Sequence, residues 1–309
     1  MSARVPERGS WLEASARARV AGLLDANSFT EFLGPEQREM SPHLSLFDLP
    51  RAFDDGVVVG RGKLGGRPVF VAAQDGRFMG GTFGEISGSK IVGLLRAARD
   101  GAAGDDAPRT VLLLLDTGGV RLQEANAGEL AVSEIIRAIA EARRAGITVI
   151  ALVGGKAGAF GGGGIITACC SRIVVSRHGR ISVSGPEVIE TNQGIEEFDS
   201  KDRALVWRIT GGRTRWLTGG ADRYVADEIR AFREAAMALG AEDAAPFDLF
   251  RLQAEQSRLE QRLQVDGDSR DATQIWTRRG LDEPERVGDM TEHDFVVLAD
   301  REAPNHDAR

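Results

Sequence analysis

Two apolar runs of the same design constrain this chain more than any other feature. Val111-Leu112-Leu113-Leu114-Leu115 breaks into Asp116-Thr117-Gly118-Gly119-Val120-Arg121-Leu122-Gln123-Glu124-Ala125, and Ile147-Thr148-Val149-Ile150-Ala151-Leu152-Val153 breaks into the glycine-rich stretch Gly154 to Gly164. Both runs are short, β-branched or leucine-rich and bounded by glycine, the pattern of buried parallel strands. Each feeds a glycine loop and then a helical pattern, whose first turn carries N–H groups with no partner inside the helix. Two such turns in one sheet are a device for holding a negatively charged oxygen.

Around these runs the chain reads as repeated strand–loop–helix units, an α/β fold with a largely parallel sheet. Ser10 is positioned to cap a helix through Leu24, with Glu13 at the capping-box position. Gly34 to Pro50 is punctuated by proline and reads as irregular. Val57-Val58-Val59 and Pro68 to Ala72 read as strands joined at Gly65-Gly66, a hairpin signal. Arg77 to Gly84 is a glycine turn into a helix over Glu85 to Arg99, and Gly101 to Pro108 is a loop. A helix over Gln123 to Ala145 has an apolar stripe of Leu130, Ile135, Ile136 and Ile139. A short helix near Gly164 to Cys170 follows, then strands at Ile173-Val174-Val175 and Ile181-Ser182-Val183, then a helix with Pro186 at its first position. Val225 to Leu239 and Phe247 to Gln264 read as helical. The tail from Asp266 is polar, with Trp276 and Phe295 to Leu298 its only apolar points, and suits either disorder or a place on a partner.

Composition narrows the function classes. The 309 residues are 42% hydrophobic and 28% charged, as in soluble globular proteins. No apolar run approaches the ~18 residues of a membrane span. Met1 to Arg19 is charged throughout without an apolar signal core, so the expected location is cytoplasmic. A net charge of −7 gives no support for nucleic-acid binding. Cys169 and Cys170 are adjacent and the four histidines scattered, so neither a disulfide framework nor a metal site is expected. Arg208, Arg213 and Arg215 form a basic cluster suited either to an acidic partner or to plain solvation.

Common glycine motifs do not fit. The Gly154–Gly164 run contains no G-x-G-x-x-G, Gly155-Lys156 is followed by Ala157 rather than Ser or Thr, and Ser87-Gly88-Ser89-Lys90 lacks the companions of an S-x-x-K site. What remains is oxyanion binding by backbone amides, each worth ~3 kcal/mol when aimed at a developing negative charge. The competing reading is that these glycines only permit tight turns and close packing.

Asp116 to Ala125 is similar to the G-G-A-R-[MI]-Q-E loop of acyl-CoA carboxyltransferases, members of the crotonase superfamily. Phe78-Met79-Gly80-Gly81 resembles their F-M-G-G turn, and Gly185 to Glu190 their G-P-x-V-I-E turn. Asp116 to Leu130, Gly194 to Ser200 and Trp207 to Gly212 look still more like one branch, the β subunits of biotin-independent malonate decarboxylases. The resemblance covers about Arg51 to Gly212. It implies a crotonase-like spiral over residues 51–240, preceded by a helical extension (1–50) and followed by a C-terminal helix and polar tail (241–309).

The resemblance also implies a mechanism. A malonyl thioester, carried on an acyl carrier protein by a coenzyme-A-like (phosphoribosyl-dephospho-CoA) arm, loses carbon dioxide through an enolate. The family's amide donors fall at Gly119 and Val120 and at Gly161, Gly162 or Gly163, with Gly162 preferred. Gly118, Arg121, Gln123, Phe78, Met79, Gly80 and Gly81 fall where the substrate or arm binds, although Arg121 is equally placed to pair with Glu124. The implied partners are a crotonase-fold γ subunit, the acyl carrier protein and an acetyl-S-ACP:malonate ACP transferase subunit. No biotin, metal or tightly bound cofactor is expected. Hydratases of the superfamily place a catalytic glutamate where this chain has Ile165 and Ile166, which argues against water addition. Glu187 and Glu190 are candidate proton donors. The alternatives are a biotin-dependent carboxyltransferase subunit and a non-catalytic scaffold.

Overall fold

The computed structural model describes residues 9–301 apart from 35, 38–39, 52, 102–106 and 245, so most of the Gly101–Pro108 loop and the end of the tail lie outside the described residues. In chain order the elements are α1 (Ala16–Leu23), β1 (Thr30–Glu31), α2 (Pro42–Leu46), β2 (Val57–Leu64), β3 (Arg67–Gln74), α3 (Glu85–Asp100), β4 (Thr110–Leu115), α4 (Asn126–Arg144), β5 (Thr148–Val153), β6 (Ala159–Phe160) and α5 (Gly162–Cys169). They continue with β7 (Arg172–Val175), β8 (Ile181–Ser182), α6 (Pro186–Gln193), α7 (Arg203–Thr210), α8 (Gly212–Leu217), β9 (Arg223–Tyr224), α9 (Ile229–Ala241), α10 (Leu249–Asp266), α11 (Ala272–Arg278) and α12 (Glu292–Arg301).

The main sheet has the order β1-β2-β3-β4-β5-β7-β9, antiparallel from β1 to β3 and parallel from β3 to β9; β6 and β8 form a separate parallel pair. The unbroken apolarity of β4 and β5 follows from burial on both sheet faces. Val111, Leu113 and Leu115 pack with Leu95 of α3 and Ile135 of α4, whereas Leu112 and Leu114 pack with Val20 of α1 and Phe232 of α9. Alternate residues of a strand point to opposite faces, so only a run with no polar position serves both.

Several boundaries depart from the sequence reading. The first helix is capped by Ser15, whose hydroxyl accepts from Ala18 N–H, not by Ser10. Ser10 instead donates to Asp227 at 2.6 Å. The segment before residue 51 is no appendage, because Trp11 is fully buried and stacks on Phe232 with ring centroids 4.0 Å apart. Within the region read as irregular, Pro42–Leu46 forms a turn of helix capped by Ser41. Helix α4 starts at Asn126 rather than Gln123, because Ala125 takes a positive φ of 48° after a 3-10 turn over Leu122–Glu124. Leu130, expected on its buried stripe, is 63% exposed. Nor is the polar tail loose: Trp276 and Phe295 are buried in the core layer that holds α3 and α4. Among the described residues, no helix is long and apolar enough to cross a membrane.

Candidate active site

Leu115 and Val153 are register partners, so the two glycine turns leave the carboxyl ends of β4 and β5 side by side. They are then laced together. Thr117 N–H donates to Gly158 O (2.7 Å) and Phe160 N–H to Thr117 O (3.0 Å). Asp116, missed by the sequence reading, joins both turns to the N-terminal helix: its carboxylate accepts from Ala157 N–H (2.7 Å) and from Arg19 Nη1 (2.8 Å). A buried charge needs such partners. Its signal in the sequence was only a lone acid at the end of an apolar run, which did not separate it from the loop that follows.

The turns meet at Gly119 and Gly161. A Cβ on Gly119 would lie 3.0 Å from Phe160 O and 3.5 Å from Gly161 Cα, and its φ of 117° is one that side-chain-bearing residues rarely adopt. The amides divide into two groups. Gly118 N–H donates to Gly80 O (2.8 Å) and Gly119 N–H to Thr117 Oγ1 (3.0 Å), so both are already used inside the protein. Val120 differs. Gly119 O and Arg121 N–H bond to Phe83 on one side (2.8 and 2.9 Å), which turns the Val120 N–H to the other, where it has no partner among the described residues. On the second turn, Gly161, Gly162 and Gly163 precede the first helical bond, Gly164 N–H to Gly161 O (3.0 Å). The N–H groups of Gly162 and Gly163 are the open donors of a helix N-terminus, where the helix dipole adds positive potential, whereas the parallel pairing of Phe160 with Ser182 directs Gly161 N–H at Ser182 O.

Arg121 lies behind this surface. It is 1% exposed, and its Nη1 donates to Asp55 (2.6 Å) and Glu124 (2.9 Å) while Nη2 donates to Thr82 O (2.9 Å). Of the two roles the sequence left open, the structure contains the pairing with Glu124, and the guanidinium is spent within the protein. Glu124 also accepts from Glu85 N–H (2.6 Å) and Asp55 from Ser87 N–H (3.2 Å), so the cluster holds the start of α3 as well. Burial pushes the Asp55 carboxyl above its usual range, with Arg121 pulling against that. Phe78 stacks under the guanidinium at 5.4 Å. Met79, Gly80 and Gly81 make the turn beside the first loop with φ of 49°, 65° and 66°. A Cβ on Gly81 would fall 1.8 Å from Asp116 O, so only glycine fits there. Gln123 is exposed on the 3-10 turn.

Other candidates fall away from the turns or serve the fold. Glu190 accepts from Ser200 N–H (2.8 Å), and this contact holds its carboxyl below the usual range, which suits a loop clasp rather than a proton donor. Of the basic cluster only Arg208 is exposed, facing Asp271 at 3.9 Å. Arg213 is 5% exposed and donates to Val287 O (2.7 Å), Gly288 O (3.2 Å) and Met290 O (2.9 Å), while burial lowers Arg215 to about 10. Cys170 is buried, and burial raises the Cys169 thiol. A cavity of about 730 Å³ lies between α7 and the C-terminal segment, lined by Arg203, Trp207, Arg208 and Trp276 but also by Asp271, Glu285 and Asp289. Its mixed charge and its side-chain lining set it apart from the backbone amides of the two turns.

A largely parallel sheet whose adjacent strand ends carry two touching glycine turns is the architecture of a crotonase-like carboxyl transferase domain. The chain belongs to the carboxyl transferase domain family, whose model matches residues 10–240. It is 39% identical to the malonyl-S-ACP:biotin-protein carboxyltransferase of Malonomonas rubra over 94% of this chain and 96% of that protein. It is 40% identical to a chain of the Pseudomonas malonate decarboxylase hetero-tetramer solved with malonate, with a TM-score of 0.79 over 89% of this chain and 98% of that one. A chain of the Pseudomonas MdcD–MdcE malonate decarboxylase hetero-dimer matches at 38% identity and a TM-score of 0.66, over 84% and 100% of the two chains. The sequence resemblance to malonate decarboxylase subunits is thus shared by the structure over 84–89% of this chain.

Proposed function

We propose that this chain is the malonyl-thioester-binding subunit of a malonate decarboxylase, a carbon–carbon lyase that works without biotin. The observation that carries the reading is the meeting of the turns at Gly119 and Gly161, with the amides of Val120, Gly162 and Gly163 open beside them. In the reaction, the bond between the α-carbon and the free carboxylate of a malonyl thioester breaks and carbon dioxide leaves. The electron pair moves into the thioester carbonyl, whose oxygen becomes an enolate. Amide donors already fixed in place stabilise that oxygen, each by ~3 kcal/mol, with no reorganisation at the moment of reaction. A proton taken up at the α-carbon gives the acetyl thioester. Gly119 contributes shape rather than its own N–H, which Thr117 holds. Gly118, Gly80 and Gly81 shape the floor on which the thioester lies, Phe78, Met79 and Gln123 edge it, and Arg121 supports it from behind.

The thioester is held on an acyl carrier protein through a coenzyme-A-like arm, so the subunit needs no resident cofactor, biotin or metal. Leu122, Leu130, Ile165 and Val183 stand exposed along the segments bordering the turns, which supports a companion crotonase-fold subunit covering the site. A carrier-transferase subunit completes the cycle. The 39% identity to the Malonomonas protein favours a second reading, transfer of the carboxyl group to a biotinyl protein on the same turns.

The two separate in one assay. The chain, purified with its companion subunit and supplied with malonyl carrier protein, is expected to release carbon dioxide with avidin present. Consumption of the malonyl thioester only on addition of a biotinyl carrier, with the carboxyl group recovered on the biotin, would replace decarboxylation by carboxyl transfer, and full activity of a Gly162→Pro variant would reduce the chain to a scaffold.

A further inference from the structure

The cations that reach the two glycine turns are matched by carboxylates, with one exception among the described residues. Arg19 is paired with Asp116 (2.8 Å), Arg121 with Asp55 and Glu124 (2.6 and 2.9 Å), and Lys156 with Glu13 (2.9 Å). Arg180 has no carboxylate at ion-pair distance; Asp116 and Glu187 act on it only through space, and Arg203 opposes them. It is clamped by other means. Its Nη2 donates to Lys156 O at the entry of the second turn. Its guanidinium carbon lies 4.4 Å from the ring centroid of Trp207 and 5.4 Å from that of Phe160, the residue just before Gly161. Its Nε is buried and finds no acceptor. Gly158 makes room for this clamp, since a Cβ there would lie 2.9 Å from Arg180 O and 3.1 Å from Phe160 Cε2. A carbonyl and two rings hold a cation without cancelling its charge. Burial pulls the guanidinium below its ordinary pKa, and it remains a cation at any working pH.

A partly buried charge without a counter-ion costs free energy, and such arrangements gather where the charge has a use. We infer that Arg180 is a positioning residue for the second turn: it fixes Lys156 O and Phe160, and its unmatched charge adds to the positive potential of the α5 N-terminus, where Gly162 and Gly163 hold the enolate oxygen. It acts through the turn and does not touch the substrate. The amides face the thioester oxygen, so the field counts most there; the free carboxylate leaves as neutral carbon dioxide and gains less. A plain strut between α7 and β6 would need no charge, because both of its ring contacts suit an apolar side chain of similar length. The inference rests on the enolate of the proposed function, which decarboxylation and carboxyl transfer share.

Turnover of malonyl carrier protein by the assembled subunits tests it, with a biotinyl carrier added only if the wild type requires one. Arg180→Met removes the charge and keeps a long side chain between the rings. It is expected to lower kcat roughly tenfold, the order for a unit charge acting across one side chain at an effective dielectric of ~20, with KM within about twofold. Its melting temperature should be unchanged or raised, because an unpaired charge has gone. Arg180→Lys restores the charge without the planar group and should recover most of the lost kcat. Arg203→Met deletes a cation that packs on Trp207 (5.2 Å) but not on Phe160, and should leave kcat within about twofold. An Arg180→Met chain with wild-type kcat overturns the inference, whereas the decarboxylase reading fails only if the wild type itself releases no carbon dioxide in avidin. A variant whose kcat and melting temperature fall together, without rescue by lysine, makes Arg180 a strut and overturns it too. So does a rise in KM alone, which would put the charge on the substrate's own carboxylate, and so does an equal loss in Arg203→Met.

Discussion

The two glycine turns touch, yet they are held in opposite ways. The turn after β4 is fastened from every side: its amides at Gly118 and Gly119 are spent on Gly80 and Thr117, Asp116 is tied to Arg19, and Arg121 anchors its end to Asp55 and Glu124. It leaves one donor, Val120. The turn after β5 is braced at its entry, through β6, and then runs straight into α5 with two successive donors, Gly162 and Gly163, open. One turn supplies rigidity and the other supplies donors. An oxyanion site needs both, because a donor contributes fully only if it does not have to reorganise.

The comparison breaks most visibly at Arg121. Arg121→Met leaves two carboxylates buried against each other without a cation, which costs about 3–5 kcal/mol. Chemical denaturation should register that loss, and adding Asp55→Asn and Glu124→Gln should recover part of it. An Arg121→Met chain as stable as the wild type would mean that backbone hydrogen bonds alone hold the first turn. The second turn predicts the reverse separation. Gly162→Pro deletes one N–H at the first helical position, where proline is well tolerated. Because a Cβ at Gly162 would approach Val132 Cγ2 to 2.7 Å, the substitution is best paired with Val132→Ala. Turnover should fall 10²–10³-fold, about 3–4 kcal/mol, relative to Val132→Ala alone, with little further change in melting temperature. Loss of stability in place of loss of turnover would make α5 a structural helix only.

Gly119→Ala lies between these cases, since it touches both turns at their meeting point. The alanine is strained at φ 117° and brings a methyl within 3.0 Å of Phe160 O, a cost of roughly 1–3 kcal/mol. Activity and melting temperature should fall together. If activity alone fell, Gly119 would be acting through more than shape.

The parts of this arrangement that were legible in the sequence are those set by periodicity. Unbroken apolar runs identified β4 and β5 because each is buried on two faces, and Gly65-Gly66 identified the hairpin because both residues take positive φ. What stayed hidden depends on partners far away in sequence. Arg121 reads the same whether it reaches into a pocket or to Asp55, 66 residues away. The basic look of Arg213 and Arg215 came from proximity in the chain; burial under the C-terminal segment made them internal struts. Ser10 and Ser15 are equally good caps by composition, and the bond from Ser10 to Asp227 decided between them. The tail looked loose because Trp276 and Phe295 are too sparse to show a period, although two large aromatic anchors suffice to dock it.

The smallest expected effect concerns the support under the second turn. His178 and Arg180 form the link that carries β6, with Arg180 N–H donating to His178 O (2.9 Å) and Ala159 N–H to Arg180 O (2.8 Å). Burial lowers the His178 pKa from its ordinary value, with Arg177 and Arg180 acting in the same direction and Asp227 and Glu292 opposing. The folded chain therefore binds a proton at His178 less readily than the unfolded chain. Its stability contribution is complete above the ordinary histidine pKa of ~6.5 and is lost as pH falls from there through the lowered folded value. The melting temperature should accordingly drop between pH 7 and pH 5, and the drop should be shallower in His178→Gln, the difference between the two curves removing the contribution of carboxylates common to both. Because His178 and Arg180 brace the second turn through Ala159, hydrogen exchange should quicken at Ala159 and Phe160 before it does at Gly118 and Gly119. Parallel melting curves, or simultaneous loosening of both turns, would show that the two are braced as one unit.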